Sequence, residues 1–177
     1  MLSVTSVVFG FLILEALRAS RNERAQRSRG GVEPAGDVYR LMQVAYPGCF
    51  VAMIVEGAMR GAPSRDLMVA GAVVFAAAKA LKWWAILSLG PFWTFRVIVV
   101  PGSPSVGTGP YRIMRHPNYV GVVGELAGAA LVAGAPVAGP LGTLLFIALM
   151  GARVRVENRA LNAILRPHDG FAPRVSS

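Results

Sequence analysis

The sequence predicts an all-α integral membrane protein, a bundle of about five transmembrane helices with a pocket at the cytoplasmic face. Three observations predict it. Hydrophobic residues make up 54% of the 177-residue chain and charged residues only 15%, whereas soluble domains carry about a quarter charged residues. The net charge is +9, yet the basic residues stand at the ends of apolar segments, as they do beside membrane spans, and no nucleic-acid motif accompanies them. Finally, the polar, proline-broken run Gly109-Pro110-Tyr111-Arg112-Ile113-Met114-Arg115-His116-Pro117-Asn118-Tyr119 lies between apolar segments. Such groups persist near lipid when they line a water-accessible or ligand-filled cavity.

Residues 2–17 form the first span, short for the ~20 residues a bilayer needs. With no basic residues before it, this segment reads as a retained anchor and not a cleaved signal. Arg18, Arg21, Arg24, Arg27 and Arg29 then read as a solvated juxtamembrane loop, with some attraction to anionic lipid, ended by Gly30-Gly31, Pro34 and Gly36. Residues 41–59 form the second span, interrupted by Pro47-Gly48, and carry the lone cysteine, Cys49, as a buried thiol. Residues 67–89 form the third. Lys79 and Lys82 near its far end are expected to snorkel to the interface, with Trp83 and Trp84 as belt residues. Glu15 and Glu56 are expected to reach the interface as well.

Residues 90–118 are amphiphilic and broken by Pro91, Pro101, Pro104 and Pro110. Residues 119–133 and 137–151 form a helical hairpin around Gly134-Ala135-Pro136, and Gly121, Gly124 and Gly128 permit close helix packing. The tail, 152–177, is polar and basic, with His168 in a surface turn. The chain is one domain, with three spans in 1–89 and a functional region in 90–177. Sixteen of its eighteen basic residues fall on one side of this topology. That places the N-terminus outside and both polar regions on the cytoplasmic face of a bacterial plasma membrane, so that Tyr119 and Arg153 can meet.

Proline suits the first turn of a helix and pushes the preceding residue out of helical geometry. The fourth span therefore starts at Pro117, with His116 at its mouth, where free backbone N–H groups favour an anion. The cluster of Tyr111, Arg115 and His116 is read as a site, the alternative being an interfacial anchor. Arg153 and Glu157 are four apart and share a helical face. They form either an exposed ion pair worth tenths of a kcal/mol or a cavity-facing pair in which Arg holds an anionic substrate and Glu a cationic cofactor group. Glu125, two turns into the fourth span, is protonated, paired or part of the cavity wall.

The strings Leu89-Gly90-Pro91-Phe92-Trp93-Thr94-Phe95-Arg96, residues 106–119 and residues 153–161 together resemble the isoprenylcysteine carboxyl methyltransferase family of integral-membrane enzymes. The resemblance implies S-adenosylmethionine as methyl donor. It implies that Ser103, Pro104, Ser105, Val106, Tyr111, His116, Pro117, Asn118, Tyr119 and Glu157 contact this cofactor. Arg153, with Trp93 and Glu125, is expected to face the acceptor, and Arg153, Glu157 and His116 to carry the catalysis. Asn158 stands where the family usually shows a second acidic residue. The implied acceptor is lipophilic, either an isoprenylcysteine-type carboxylate or a polyketide such as an alkylpyrone or alkylresorcinol. Phospholipid N-methyltransferases and NADPH-dependent lipid reductases carry strings like Arg-His-Pro-x-Tyr and remain alternatives, as does a non-catalytic membrane subunit. No metal site and no nucleic-acid partner are expected.

Overall fold

The structure, a computed structural model, describes residues 2–102 and 106–165. Five helices follow one another: α1 (Leu2–Arg27), α2 (Tyr39–Arg60), α3 (Arg65–Leu89), α4 (Pro117–Ala133) and α5 (Ala138–Leu165). Among the described residues, α2, α3 and α5 are long and apolar enough to cross a membrane, and α4 is a shorter apolar helix. The expected His168 turn and Ser103-Pro104-Ser105 lie outside the described residues.

The expected loop after the first span is helical instead, because α1 continues to Arg27. Residues 18–27 are rich in Arg, Ala, Glu and Gln, which favour helix. Tertiary contacts dock the extension. Asn22 Nδ2 donates to the carbonyls of Gly90 (3.0 Å) and Trp93 (2.7 Å), and Gln26 Nε2 donates to that of Pro91 (3.0 Å). Likewise α2 runs unbroken through Pro47, as membrane helices permit when neighbouring helices support them. Cys49 is buried, its Sγ 3.7 Å from the Gly142 carbonyl.

The α3–α4 contact is the most extensive in the bundle, and small residues set it. A methyl group on Gly128 would come within 2.6 Å of the Phe75 backbone nitrogen, one on Gly124 within 2.7 Å of Ala78 Cβ, and one on Gly121 within 2.8 Å of Lys82 Cβ. From α3, Gly71 meets Leu131 and Gly128 in the same way. Backbones this close gain dispersion contacts, which hold helices together where lipid removes the hydrophobic drive.

Charges inside the bundle fix which faces meet. Lys79 and Lys82 do not snorkel, and Glu15 does not reach the interface: all three are buried, together with Glu125. Lys79 Nζ lies 3.1 Å from Glu15 and 2.7 Å from Glu125; Lys82 Nζ lies 2.6 Å from Glu15 and 3.3 Å from Glu125. Two cations and two anions balance, so no net charge is buried. The i, i+3 spacing of the lysines puts both on one face of α3, between α1 and α4. Tyr46 of α2 donates to Glu125, and Lys82 stands 5.1 Å from the Tyr46 ring centroid. Four helices thus share one polar cluster.

Glu56, partly exposed near the end of α2 and paired with Arg60 at 2.7 Å, also serves the start of α5. Its carboxylate accepts from Val137 N (3.2 Å) and Ala138 N (2.6 Å). Those are orphan donors at the start of α5, where negative charge also suits the helix dipole. At the opposite end of the bundle, Val32 and Val99 exchange backbone hydrogen bonds of 2.9 and 3.0 Å. They tie the α1–α2 connection to the segment after α3. Arg96 joins the tie by an ion pair to Glu33 at 2.7 Å. Burial pushes the Glu33 carboxyl up, but hydrogen bonds from Arg96 and Arg27, and their charges, outweigh it and hold it below the usual carboxylate range.

Two outcomes are expected from variants assayed by thermal unfolding in detergent. Lys82→Met strands a buried carboxylate and should destabilise by about 3–5 kcal/mol, whereas adding Glu15→Leu restores neutrality and should recover most of that loss; a single variant as stable as wild type would show the charges to be unpaired. Gly128→Val overpacks the α3–α4 contact and should cost about 1–3 kcal/mol, while Gly10→Val, at a position open to its surroundings, should cost markedly less.

Candidate active site

Side chains from three segments converge at the end of the bundle held by the Val32–Val99 tie. At the first of these, α4 begins at Pro117, whose fixed φ suits a first turn. His116, at φ −131° and ψ 60°, marks the boundary without a side-chain cap. Its carbonyl accepts from Tyr119 N at 3.1 Å. The imidazole lies stacked on the Tyr119 ring, with centroids 5.2 Å apart and 14° between planes.

The second segment is the 3-10 turn Gly109–Arg112. Gly109 has φ +60°, and a Cβ there would collide with Ser88, so only glycine lets this turn close on α3. Pro110 is buried beneath it, and Tyr111 is half-buried. Burial pushes the Tyr111 phenol well above its ordinary value, and the nearby Glu157 carboxylate and Tyr119 add to the shift. Tyr111 therefore stays neutral and able to donate at any working pH.

The third segment is α5, which brings Arg153 and Glu157 to this mouth. Arg153 is buried. Its guanidinium lies near enough to the Tyr119 phenol to act on its ionisation, and Nη1 lies 4.0 Å from Met42 Sδ and 4.0 Å from Asp37 Oδ1. The ion-pair partner of Arg153 is thus Asp37, not Glu157 one turn on. Glu157 is partly exposed and near enough to act electrostatically on both Tyr111 and Tyr119. Tyr111, His116, Tyr119, Arg153 and Glu157 are therefore brought together.

Two expected acceptor contacts lie elsewhere. Trp93 is buried in a small core with Ala19 and Ile86, edge-on to Phe95, because the Asn22 bond to its carbonyl turns this segment against α1. Glu125 is fully buried and engaged by Lys79, Lys82 and Tyr46. Asp37, absent from the sequence reading, joins the site. The sequence signal was there in outline: an acidic residue two positions before a helix start is an N-terminal signal, and Asp37 Oδ1 accepts from Tyr39 N at 3.1 Å.

The donor set fits S-adenosylmethionine, which carries an ammonium, a carboxylate and an adenine amino group. Asn118 Oδ1 is buried with no hydrogen-bond partner among the described residues, which leaves it available to a donor. Glu157 offers a carboxylate to an ammonium, and His116 and Tyr111 offer polar edges beside aromatic faces. A cavity of about 760 Å³ lies at the other end of the bundle among Pro63, Leu67, Leu131 and Leu144. It is apolar and remote from this chemistry. A smaller polar cleft of about 340 Å³ runs beside Asp37, Tyr39 and Arg96.

The chain is 29% identical over 143 residues to the uncharacterized protein YpbQ of Bacillus subtilis (strain 168), covering 81% of this chain and 85% of that one. It is 22% identical over 143 residues to an uncharacterized protein of Haemophilus influenzae, covering 80% and 83%. No solved structure matches. Residues 69–163, which include α4 and every residue of the converged cluster except Asp37, match the isoprenylcysteine carboxyl methyltransferase (ICMT) family. The chain belongs to the isoprenylcysteine carboxyl methyltransferase family of membrane methyltransferases.

Proposed function

We propose that the protein transfers a methyl group from S-adenosylmethionine to an oxygen of a lipophilic acceptor, at the cytoplasmic face of a bacterial plasma membrane. The observation that carries this reading is the meeting of His116, Tyr119, Arg153 and Glu157 at one mouth of an apolar bundle, within the segment matched to a methyltransferase family. The cytoplasmic assignment is supported by the charge asymmetry, with fourteen of the sixteen arginines on that side of the five-span topology read from the sequence.

Bound S-adenosylmethionine supplies a methyl group already activated by its sulfonium charge. What remains for the protein is alignment and exclusion of water. Tyr111, His116, Pro117, Asn118, Tyr119 and Glu157 are assigned to hold the cofactor, as is Val106. Arg153 is assigned to the acceptor's oxygen. A carboxylate or an acidic enol arrives ionised and needs orientation more than deprotonation, while His116 can take the proton of an acceptor that arrives neutral. The two opposite charges on α5 divide the labour: a cation beside the sulfonium is unfavourable, so the Glu157 carboxylate suits the cofactor and the Arg153 guanidinium the acceptor. Because α4 and α5 present apolar outer faces (Val120, Leu141 and Leu145 are exposed), a lipid-soluble acceptor can enter sideways from the bilayer.

Calorimetry on the purified protein should show binding of S-adenosylmethionine and none of NADPH; the reverse would favour a reductase. Incubation with labelled S-adenosylmethionine and a membrane lipid extract should transfer label to a lipid-soluble product. Tyr119→Ala and Glu157→Ala should each weaken cofactor binding at least about tenfold, or ~1.4 kcal/mol, with unfolding temperatures near wild type. Unchanged affinity in both would remove the assignment. Arg153→Ala should lower kcat/KM for the acceptor by roughly tenfold or more while sparing cofactor affinity, and loss of cofactor affinity there would reverse the two roles.

A further inference from the structure

Arg153 is a buried cation with an unusual partner. Its guanidinium offers five N–H donors, yet among the described residues its polar neighbours are the Tyr119 phenol, Met42 Sδ at 4.0 Å and Asp37 Oδ1 at 4.0 Å. The side chains of Arg153 and Asp37 are only 9% and 4% exposed. A gap of 4.0 Å is too long for a hydrogen bond and short enough for strong attraction away from water. Two backbone donors hold the Asp37 carboxylate where it stands. Oδ1 accepts from Tyr39 N and Oδ2 from Val97 N, each at 3.1 Å. These donors lie on separate segments, joined by the Val32–Val99 tie.

We propose that Asp37 is a positioning residue for Arg153: a carboxylate fixed by two backbone donors balances the buried guanidinium from a distance and leaves its N–H groups free for an anionic oxygen of the acceptor. The proposal rests on reading Arg153 as the acceptor-facing residue. A direct Arg–carboxylate fork would consume the donors that must bind the acceptor, and no counter-ion at all would leave a buried charge uncompensated. Asp37 does neither. It lies outside residues 69–163, the segment matched to the family, so this chain brings the counter-charge in from the α1–α2 connection.

The rival is that Asp37 only fastens that connection to the segment after α3. Arg96, next to Val97 and held by Glu33 at 2.7 Å, distinguishes the two. Full-length protein in detergent, wild type and Asp37→Asn, is treated with phenylglyoxal and modification is read at each arginine by mass spectrometry. Asp37→Asn keeps the shape and loses the charge, so Arg153 should react at least about fivefold faster as it leaves its uncompensated site, with Arg96 unchanged. An unchanged Arg153 rate, or Arg153 and Arg96 rising together, overturns the proposal. With S-farnesylcysteine and a long-chain alkylpyrone as acceptors, Asp37→Asn should lower kcat about tenfold in the wild-type background and add nothing to Arg153→Ala, with S-adenosylmethionine affinity retained; an equal loss in both backgrounds overturns it. A wild-type protein that neither binds S-adenosylmethionine nor methylates defeats the proposed function, and the labelling result then judges Asp37 by itself.

Discussion

The fold depends on placing four charges where water is absent. Glu15, Lys79, Lys82 and Glu125 come from three helices, and none could be buried alone without a large desolvation penalty. Together they are neutral, and each lysine nitrogen reaches both carboxylates. The arrangement is demanding because attraction repays desolvation only with close, saturated geometry. Rotating α1, α3 or α4 by one residue, about 100°, would strand a charge. The apolar faces of these helices allow many registers, so the charge set specifies one of them, a role that buried polar groups serve better than they serve stability.

That specification reaches the candidate site through α4. Glu125 lies less than two turns from Tyr119, and the glycines between and beyond them press α4 onto α3. With α4 fixed, His116 and Tyr119 project from its first turn. The α5 register is set separately at the other end, where Glu56 caps the start of that helix. The two helices whose side chains form the site are therefore anchored by independent polar contacts, each remote from the chemistry.

Much of this was legible in the sequence. The hydrophobic segments located α2, α3, α4 and α5, the His116-Pro117 pair gave the start of α4, and charge asymmetry placed Tyr119 and Arg153 at one end. The Gly121, Gly124 and Gly128 spacing announced close packing. What was not legible were the pairings. Lys79 and Lys82 near a span end obey the snorkelling rule equally well whether they turn out or in; the decision belongs to Glu15, 64 residues from Lys79. The arginine-rich run after the first span looked like a loop because its charges are real and its docking partners are backbone carbonyls at Gly90, Pro91 and Trp93, which leave no mark on a sequence. Trp93 reads as a site residue from its neighbours in the chain, but its position follows from that same docking. Asp37 went unseen because its importance is a matter of three distant groups meeting.

The continuous length of α1 has a consequence for the setting of the reaction. At 26 residues it is about 39 Å long, several ångströms more than the ~30 Å hydrocarbon layer. Its last turns form a stiff pillar, and the connection bearing Asp37 and the segment bearing Val97 lean on it. In the proposed reaction the converged side chains sit where two phases touch, with a water-soluble reactant above and an oil-soluble one beside them. Partitioning does the gathering: each reactant is concentrated in its own medium, and only at this boundary do both reach the same few ångströms.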